Sequence, residues 1–357
     1  MGRLAGELRE KRIGWLCSFV PEELILAAGL QPIRLKGQAD RVREADGYVF
    51  SNLCPYVKNL LDSGLRLKFN DLDGIVFANS CDGMRRLYDL WTNYVSTPFT
   101  YMLEIPRNTN EYALLYFEEC LVDLKNRLEG TFGVKITDKK IGQAISLMND
   151  HRKWVAQIFE NQKEAPPRYY GSELLSILSS EGNRPKNETT ALLKDFADRP
   201  AGALPNLKGQ PRILVMGNVL DRPALFEIIE KVKCSIVLFD SCNGLRHYAD
   251  LVEDSSSPLK ALARRYLLKP SCDRMPGFEA RLERIGNLIR EYDVQGVICS
   301  GLKFCDYTLF ETPEVEKLLK DMGLPFLVLE NDYVLGDIER IRTRVEAFQE
   351  MIRSSMD

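Results

Sequence analysis

The sequence has 357 residues but only two histidines, and none of its nine cysteines forms a CxxC pair. With only His151 and His247 available, a histidine-based zinc or non-haem iron site is hard to build. The absence of CxxC disfavours a zinc ribbon, a ferredoxin-type cluster run and a thioredoxin-type redox pair. Any metal chemistry must therefore rest on dispersed thiolates, which point to zinc or iron–sulfur.

Other sequence features are also absent, and their absence excludes further classes of function. The chain has no GxxxxGK[ST] and no GxGxxG. If its reaction consumes ATP, the hydrolysis must therefore happen on another protein. No apolar run reaches the ~18 residues of a membrane span, and the N-terminus does not have the pattern of a signal peptide. The net charge of −3 gives no basic footprint for nucleic acid or for a membrane surface. These features predict a cytoplasmic protein.

The composition, with 45% hydrophobic and 28% charged residues, is that of a globular protein, and the length suggests two domains. Short apolar runs alternate with amphipathic stretches, which predicts βαβ units and parallel sheets. The predicted strands cover residues 47–51, 74–78, 99–104, 212–216, 235–239, 296–300 and 326–329. Helical patterns lie between them, for example at 111–128 and 278–292.

The middle of the chain is different in character. The run EAPPR at 164–168 and the polar stretches at 181–187 and 199–210 interrupt the pattern, with short helices predicted at 172–179 and 189–196. We therefore predict an N-terminal α/β domain over 1–165, a linker with short helices over 166–210, and a C-terminal α/β domain with a final helix over 211–357.

A weak internal repeat supports two domains of one architecture. DGIVFANSCDGMRRLYDLW (73–91) followed by PFTYMLEIPR (98–107) resembles QGVICSGLKFCDYTLF (295–310) followed by LPFLVLENDY (324–333). A looser pair is formed by residues 47–60 and 235–248. Chance similarity among βα units is the alternative.

Four cysteines come just after predicted strands, namely Cys54, Cys81, Cys242 and Cys305. The carboxyl ends of parallel strands line one crevice, so these thiols are expected to converge. Cys17 precedes an amphipathic helix and Cys272 lies in the loop KPSCDRMPG. A packing role is predicted for the cysteines in a helix or strand, Cys120, Cys234 and Cys299, although Cys299 lies nearer the crevice.

Several of these segments together resemble the superfamily of 2-hydroxyacyl-CoA dehydratases and benzoyl-CoA reductases, in particular its double-cubane branch. They are WLCSFVPEELILAAGLQPIRLKG, SNLCPYVKNLLDSG, NSCDGMRRLYDLW, FDSCNGLRHY, KPSCDRMPGFEARLERI and GVICSGLKFCD, in that order along nearly the whole chain. The match is weakest over 165–210. The resemblance implies two similar α/β domains with open, mainly parallel Rossmann- or flavodoxin-like sheets and an iron–sulfur cluster in the crevice between them.

The resemblance also implies a ligand set. Cys54 in NLCP, Cys81 in SCDG and Cys305 in FCD match the three cysteines that hold a [4Fe–4S] cluster in the dehydratase subunits. Cys17, Cys242 and Cys272 look similar to the further cysteines of the double-cubane members, which hold an [8Fe–9S] double cubane. Since all six are present, the double-cubane branch is favoured.

The activity implied is that of a low-potential reductase. A separate ATP-hydrolysing, [4Fe–4S]-carrying activator would deliver single electrons, and the chain, as a homodimer, would reduce a small substrate. The alternative is the [4Fe–4S] subunit of a dehydratase or reductase that acts on an acyl-CoA and pairs with a related subunit. A non-enzymatic cluster carrier is a third possibility, and a zinc protein fits less well because the thiols are dispersed and exceed four.

A few other side chains stand close to these thiols in sequence. Asp82 and Asp306 each follow a proposed ligand, where an acid either supports the cluster or only favours a helix N-terminus. His247 follows Cys242 on a predicted helix and is more consistent with a surface or packing role than with catalysis. The proton donor and the substrate are not encoded in any motif of the sequence.

Overall fold

The computed structural model describes residues 10–179, 184–200 and 204–356, and it contains two four-stranded, all-parallel sheets with flanking helices. The first sheet consists of β1 (Arg12–Trp15), β2 (Gln31–Arg34), β3 (Gly74–Ala78) and β4 (Thr100–Leu103). The second consists of β5 (Arg212–Gly217), β6 (Ser235–Asp240), β7 (Gly296–Leu302) and β8 (Phe326–Asn331). The predicted fold class, two α/β domains with parallel sheets, is confirmed.

The two sheets have the same strand order. It is β2-β1-β3-β4 in the first and β6-β5-β7-β8 in the second. In each sheet the order reverses beside the first strand, between β1 and β3 or between β5 and β7. In open parallel sheets, ligands bind in the crevice outside the carboxyl ends of the strands at such a reversal.

Thirteen helices surround the sheets in the described part of the chain. They are α1 (Glu22–Ala27), α2 (Pro55–Leu65), α3 (Asp82–Tyr94), α4 (Glu111–Phe132), α5 (Asp138–Asn161), α6 (Gly171–Ser179), α7 (Lys186–Ala197), α8 (Ala224–Lys231), α9 (Leu245–Tyr248), α10 (Pro258–Leu268), α11 (Phe278–Glu291), α12 (Asp306–Asp321) and α13 (Ile338–Met356). Within this described part, no helix is both long and apolar enough to cross a membrane.

The strands alternate their side chains between two helical layers. In β3, Val76 and Ala78 pack with α1, α4 and α10, whereas Ile75 and Phe77 pack with α2 and α3. Both faces of the strand are therefore buried, which explains why its sequence GIVFA is a continuous apolar run.

The repeat predicted from residues 73–107 and 295–333 corresponds to β3–α3–β4 and β7–α12–β8, which occupy equivalent places in the two sheets. The predicted helices at 172–179 and 189–196 are present within α6 and α7. Both contribute leucines to the core of the second sheet. The exact domain boundaries remain a prediction, and part of the predicted polar stretches at 181–187 and 199–210 lies outside the described residues.

The predicted strand at 47–51 is wrong. A short 3-10 helix, Ala45–Gly47, and turns occupy this region. The buried carboxylate of Asp62 accepts hydrogen bonds from the backbone N–H groups of Arg43, Glu44 and Ala45, which holds the chain in a turn. The side chain of Phe50 is 87% exposed, so the apolar run YVF does not enter a sheet. The looser repeat pair, 47–60 with 235–248, fails for the same reason.

Two strands were missed by the sequence patterns, β1 and β2. Both have only four residues, and β2 contains Pro32. Proline cannot donate a hydrogen bond to a sheet, and it is tolerated here because β2 is an edge strand. The first sheet is therefore built from β1 to β4, with β1 in its interior.

Direct hydrogen bonds join the two halves of the chain. Arg34 at the end of β2 donates from Nη2 to the carbonyl of Cys242 at 2.7 Å. Lys269 donates from Nζ to the carbonyl of Ser18 at 2.6 Å. These contacts lie beside cysteines of the predicted ligand set, so the halves meet where the thiols are.

Candidate metal centre

Three of the six predicted thiols occupy the same local position. Cys54, Cys81 and Cys305 are each the residue immediately before a helix, namely α2, α3 and α12. All three pack in one apolar cluster that spans both halves of the chain. A Cβ added to Gly83 would lie 3.8 Å from the Sγ of Cys81 and 3.9 Å from the Cβ of Cys54, so Gly83 leaves room between them. We call these three residues the first thiol group.

The first thiol group lies where burial and the helix N-termini oppose each other. Burial raises the pKa of the Cys54 thiol to about 11, and the nearby Cys305 and Cys81 thiols add to this increase. The backbone N–H groups of Val57 and Tyr56 act in the opposite direction. Because the N-terminus of a helix carries partial positive charge, this position favours a thiolate once a metal is bound.

The other three predicted thiols form a second group, from loops rather than from long helices. Cys17 lies two residues after β1 in the left-handed region, with φ of 80°. Cys242 lies two residues after β6, and Cys272 lies between α10 and α11. Cys17 and Cys272 pack in the same apolar cluster. We call Cys17, Cys242 and Cys272 the second thiol group.

Cys242 affects the pKa of both other thiols in the second thiol group. Burial raises the pKa of the Cys17 thiol, and Cys242 raises it further. Burial also raises the pKa of Cys272 to about 12, with contributions from Asp273 and Cys242. Cys242 is therefore near both of its partners.

Three basic side chains stand next to these thiols. Arg274 donates from Nη2 to the Sγ of Cys305 at 3.3 Å, and Arg246 Nη2 lies 4.0 Å from the Sγ of Cys242. Lys269 lies in the same region, and its pKa is lowered by burial and by the charge of Arg265. The fixed positive charge of the two arginines balances the negative charge of thiolates or of an anionic cluster.

Among the described residues, no group of three or more His, Cys, Asp or Glu side chains converges tightly enough to hold a single metal ion. A [4Fe–4S] cluster binds its cysteines through different irons, so thiols that hold one do not meet at a single point. Two sets of three buried or half-buried thiols, each packed in largely apolar surroundings, fit the donor chemistry of iron–sulfur groups.

The cysteines predicted to pack are separate from both groups. Cys120 lies on α4, and Cys234 is buried directly before β6. Cys299 is buried in β7, and burial raises its pKa to about 12. Cys299 lines a cavity together with Asp273 and Thr308, so it is near the thiols but belongs to neither group.

The acids beside the thiols point away from them. Asp82 and Asp306 are exposed, and Asp82 pairs with Arg86 on the surface of α3. This arrangement agrees with acids that favour a helix N-terminus. His247 is buried, stacks on Trp15 at 5.6 Å and lies 3.8 Å from Glu22, so it packs inside the protein.

Sequence reasoning missed the basic residues. Arg274 and Arg246 follow Cys272 and Cys242 by two and four residues in a sequence without any recognisable motif. Lys269 precedes Cys272 by three residues. The available signal was the clustering of Arg and Lys close to cysteines, but surface charges produce the same pattern.

A cleft lies next to the first thiol group, between α2 and the loops after β7 and β8. Its volume is about 330 Å³, and its lining includes Pro55, Lys58, Phe304 and Tyr333. Pro55 and Phe304 are direct chain neighbours of Cys54 and Cys305. A cleft of this size can admit part of an organic substrate.

With this geometry established, comparison with known proteins identifies the family. Residues 17–352 match the family described as 2-hydroxyglutaryl-CoA dehydratase, D-component. The chain belongs to this family. The predicted family relationship is thereby confirmed.

Individual known proteins are similar to this chain along almost their whole length. The beta subunit of (R)-phenyllactyl-CoA dehydratase from Clostridium sporogenes is 24% identical, covering 96% of this chain and 92% of that protein. The beta subunit of (R)-2-hydroxyglutaryl-CoA dehydratase from Acidaminococcus fermentans is 26% identical, covering 96% and 93%. A subunit of benzoyl-CoA reductase from Thauera aromatica is 24% identical, covering 96% and 91%.

Proposed function

We propose that this chain is an iron–sulfur subunit of an enzyme that dehydrates or reduces an acyl-CoA thioester. The observation that carries the proposal is the first thiol group, three thiols at three helix N-termini beside an open cleft, in a member of the D-component family. The relatives are named as subunits of enzymes whose substrates are CoA thioesters. These observations support an acyl-CoA substrate better than the small-substrate reductase favoured by the sequence alone.

In this proposal Cys54, Cys81 and Cys305 hold the cluster, which supplies a site for single electrons and one iron without a protein thiolate. The apolar residues around the thiols exclude water. The N-termini of α2, α3 and α12 stabilise the thiolates. The cleft lined by Lys58 and Tyr333 receives the thioester end of the substrate.

The proposal includes two partners and a compartment. Because several relatives are named as beta subunits, we propose a complex with a second, related subunit. The chain contains no phosphate-binding loop, so a separate ATP-hydrolysing activator is proposed to supply electrons. The nine free cysteines agree with a reducing, cytoplasmic setting.

The second thiol group favours a second candidate, the double-cubane reductase. Cys17, Cys242 and Cys272 are three further thiols near one another, and a one-cubane subunit needs only three. In this candidate all six cysteines hold two linked cubanes, the chain forms a homodimer, and the substrate is a small molecule.

One experiment separates the two candidates. Iron and acid-labile sulfide are measured per chain on protein prepared without oxygen, together with the electron paramagnetic resonance spectrum of the reduced protein. About four irons with a simple cubane spectrum support the acyl-CoA subunit, and about eight with coupled signals support the double cubane. Protein that takes up no iron under reconstitution would rule out both.

A second measurement addresses the substrate. If the acyl-CoA proposal is right, a 2-hydroxyacyl-CoA or an aromatic acyl-CoA changes the visible spectrum of the reduced complex, whereas free CoA does not. Absence of any response to a panel of such thioesters, in protein that carries about four irons, would contradict the assigned substrate class.

A further inference from the structure

Arg274 lies beside both thiol groups. Its Nη2 is 3.3 Å from the Sγ of Cys305, a member of the first group. It follows Cys272, a member of the second group, by two residues. The charge of its guanidinium interacts with the thiols of Cys81, Cys272 and Cys305. One largely buried cation therefore interacts with cysteines of both groups.

The surroundings fix the orientation of this guanidinium. Arg274 pairs with Asp273 at 3.1 Å and lies over the ring of Tyr307, 5.5 Å from its centroid. Arg107 donates from Nη1 to the carbonyl of Arg274 at 2.7 Å and from Nη2 to the carbonyl of Ser80 at 2.9 Å. Ser80 precedes Cys81, so Arg107 ties the loop of Arg274 to the loop of a thiol in the other half of the chain.

One donor of Arg274 lacks an acceptor. Its Nε is buried and has no hydrogen-bond partner among the residues that the structure describes. Leaving a buried, charged N–H group without an acceptor is unfavourable, and native proteins seldom do so. The Nη2 of the same guanidinium is 3.3 Å from the Sγ of Cys305, so the sulfur atoms of an iron–sulfur group held by these thiols would supply acceptors of the kind that Nε lacks.

We propose that Arg274 is a positioning residue that donates N–H bonds to the sulfur atoms of the iron–sulfur group and raises its reduction potential. The inference rests on the proposed function, since it requires that the chain holds such a group. Reduction adds negative charge, and a fixed cation with N–H donors stabilises the reduced form more than the oxidised form.

Arg246 provides a comparison within the same site. Its Nη2 lies 4.0 Å from the Sγ of Cys242, at the outer limit for a bond to sulfur. The same nitrogen already donates to the carbonyl of Gly217 at 2.8 Å. Arg246 therefore contributes charge but a weaker hydrogen bond, and its effect on the potential is expected to be smaller.

The test compares Arg274→Met and Arg274→Lys with wild-type protein and with Arg264→Met. Arg264 is an exposed residue of α10, 56% accessible, and provides the matched control. Full-length proteins prepared without oxygen are titrated reductively, and the reduced fraction is followed by electron paramagnetic resonance. At a fixed potential, Arg274→Met should lower the ratio of reduced to oxidised cluster about tenfold, which is 59 mV for a one-electron couple. The ratio for Arg274→Lys should lie between those of Arg274→Met and wild-type protein, and the ratio for Arg264→Met should equal that of wild type.

Each outcome bears on one proposal. Arg274→Met with its iron retained and an unchanged midpoint would overturn the role of Arg274. If this variant loses iron while its circular dichroism is unchanged, Arg274→Lys decides: a lowered midpoint supports the role, and an unchanged one overturns it. Wild-type protein that binds no iron would instead overturn the proposed function.

Discussion

The two thiol groups each take cysteines from both halves of the chain, whose sheets have the same strand order, but the surroundings of the two groups differ. The first lies at the N-termini of α2, α3 and α12, which have 11, 13 and 16 residues. In the second, Cys242 is followed only by the four-residue helix α9, and Cys17 and Cys272 lie in loops. The same topology therefore does not produce the same electrostatic environment.

The difference lies in what can stabilise a thiolate. In the first group, backbone N–H groups and helix dipoles do so. In the second, the nearby basic groups belong to side chains such as Arg246 and Lys269, and buried ion pairs lie on α1, the helix that follows Cys17. Glu22 pairs with Lys186 at 2.9 Å, and Glu23 pairs with Arg152 at 2.6 Å. The second group thus depends on a network of buried charges, which is more sensitive to a single substitution.

The largest expected effect is on iron content and activity, and it shows whether one or both thiol groups hold a cluster. Cys305→Ser should remove about four irons per chain and nearly all activity if the first group holds a cluster. Cys242→Ser should leave iron and activity close to wild type in a one-cubane subunit, and should remove about as much iron as Cys305→Ser in a double-cubane protein. Iron analysis and activity of the assembled complex provide the readout. Cys234→Ser, at a buried thiol outside both groups, is the control.

The next prediction concerns the buried charges near the second group. Glu23 is fully buried, and its carboxylate accepts from Arg152 and from the hydroxyl of Tyr266 at 2.7 Å. Glu23→Gln leaves the guanidinium of Arg152 uncompensated and should lower the free energy of unfolding by about 3–5 kcal/mol. Urea denaturation of the metal-free protein measures this free energy of unfolding. Combining this change with Arg152→Met should recover part of the loss, and a single variant as stable as wild type would contradict the prediction.

A smaller effect is expected from two glycines in equivalent strands of the two sheets, Gly217 in β5 and Gly14 in β1. A Cβ on Gly217 would lie 2.3 Å from the backbone oxygen of Ser300, whereas one on Gly14 would meet the side-chain end of Leu72 at 2.9 Å. A side chain can move more easily than a strand. Gly217→Ala should therefore cost about 2–3 kcal/mol and Gly14→Ala about 1 kcal/mol. Thermal unfolding of both variants checks this order, and the reverse order would be inconsistent with the packing described.

The smallest effect concerns Asp62, which holds the turn at residues 43–45 in the first half of the chain. Burial on its own raises the pKa of this carboxyl, but backbone N–H groups of Arg43, Ala45 and Glu44 lower it more, so the folded-state pKa lies below its usual range. The ionised group therefore adds stability above the unfolded value of about 3.9, and this stability is lost as the pH falls through the folded value.

Asp62→Asn replaces charge-assisted hydrogen bonds by neutral ones and should cost about 1–2 kcal/mol at pH 7. The gap between wild type and variant should close as the pH is lowered below about 4. Urea denaturation of both proteins at several pH values measures this difference in the free energy of unfolding. A gap that does not change with pH would exclude ionisation of Asp62 as its cause.

Much of the fold could be predicted from the sequence, because buried parallel strands are continuous apolar runs. Strands β3 and β6 were predicted in this way from the runs GIVFA and SIVLFD. β1 and β2 were missed because each has four residues and β2 contains a proline. The strand predicted at 47–51 was wrong because the carboxylate of Asp62, distant in sequence, holds the segment before it in a turn. A local pattern contains no information about such a contact.

Only part of the candidate site could be predicted from the sequence. The six cysteines could be selected because the motifs resemble a family and because Cys81, Cys242 and Cys305 follow strands. The strand predicted before Cys54 does not exist, so the strand-end argument was wrong for this residue. Their division into two groups depends on how the two halves pack, which no local pattern encodes. Arg274 could not be found at all, since its importance comes from a 3.3 Å approach to Cys305, 31 residues away.

The membership of the thiol groups has a consequence for how the protein is made. The first group joins Cys54 and Cys81 of the first half to Cys305 of the second, and the second group joins Cys17 to Cys242 and Cys272. When the first half has left the ribosome, it carries three of these thiols, but neither set is complete. The second set is completed by residue 272 and the first only by residue 305. If these sets hold a cluster as proposed, complete loading of either set must follow translation of most of the chain, after the strands of the first sheet have been made.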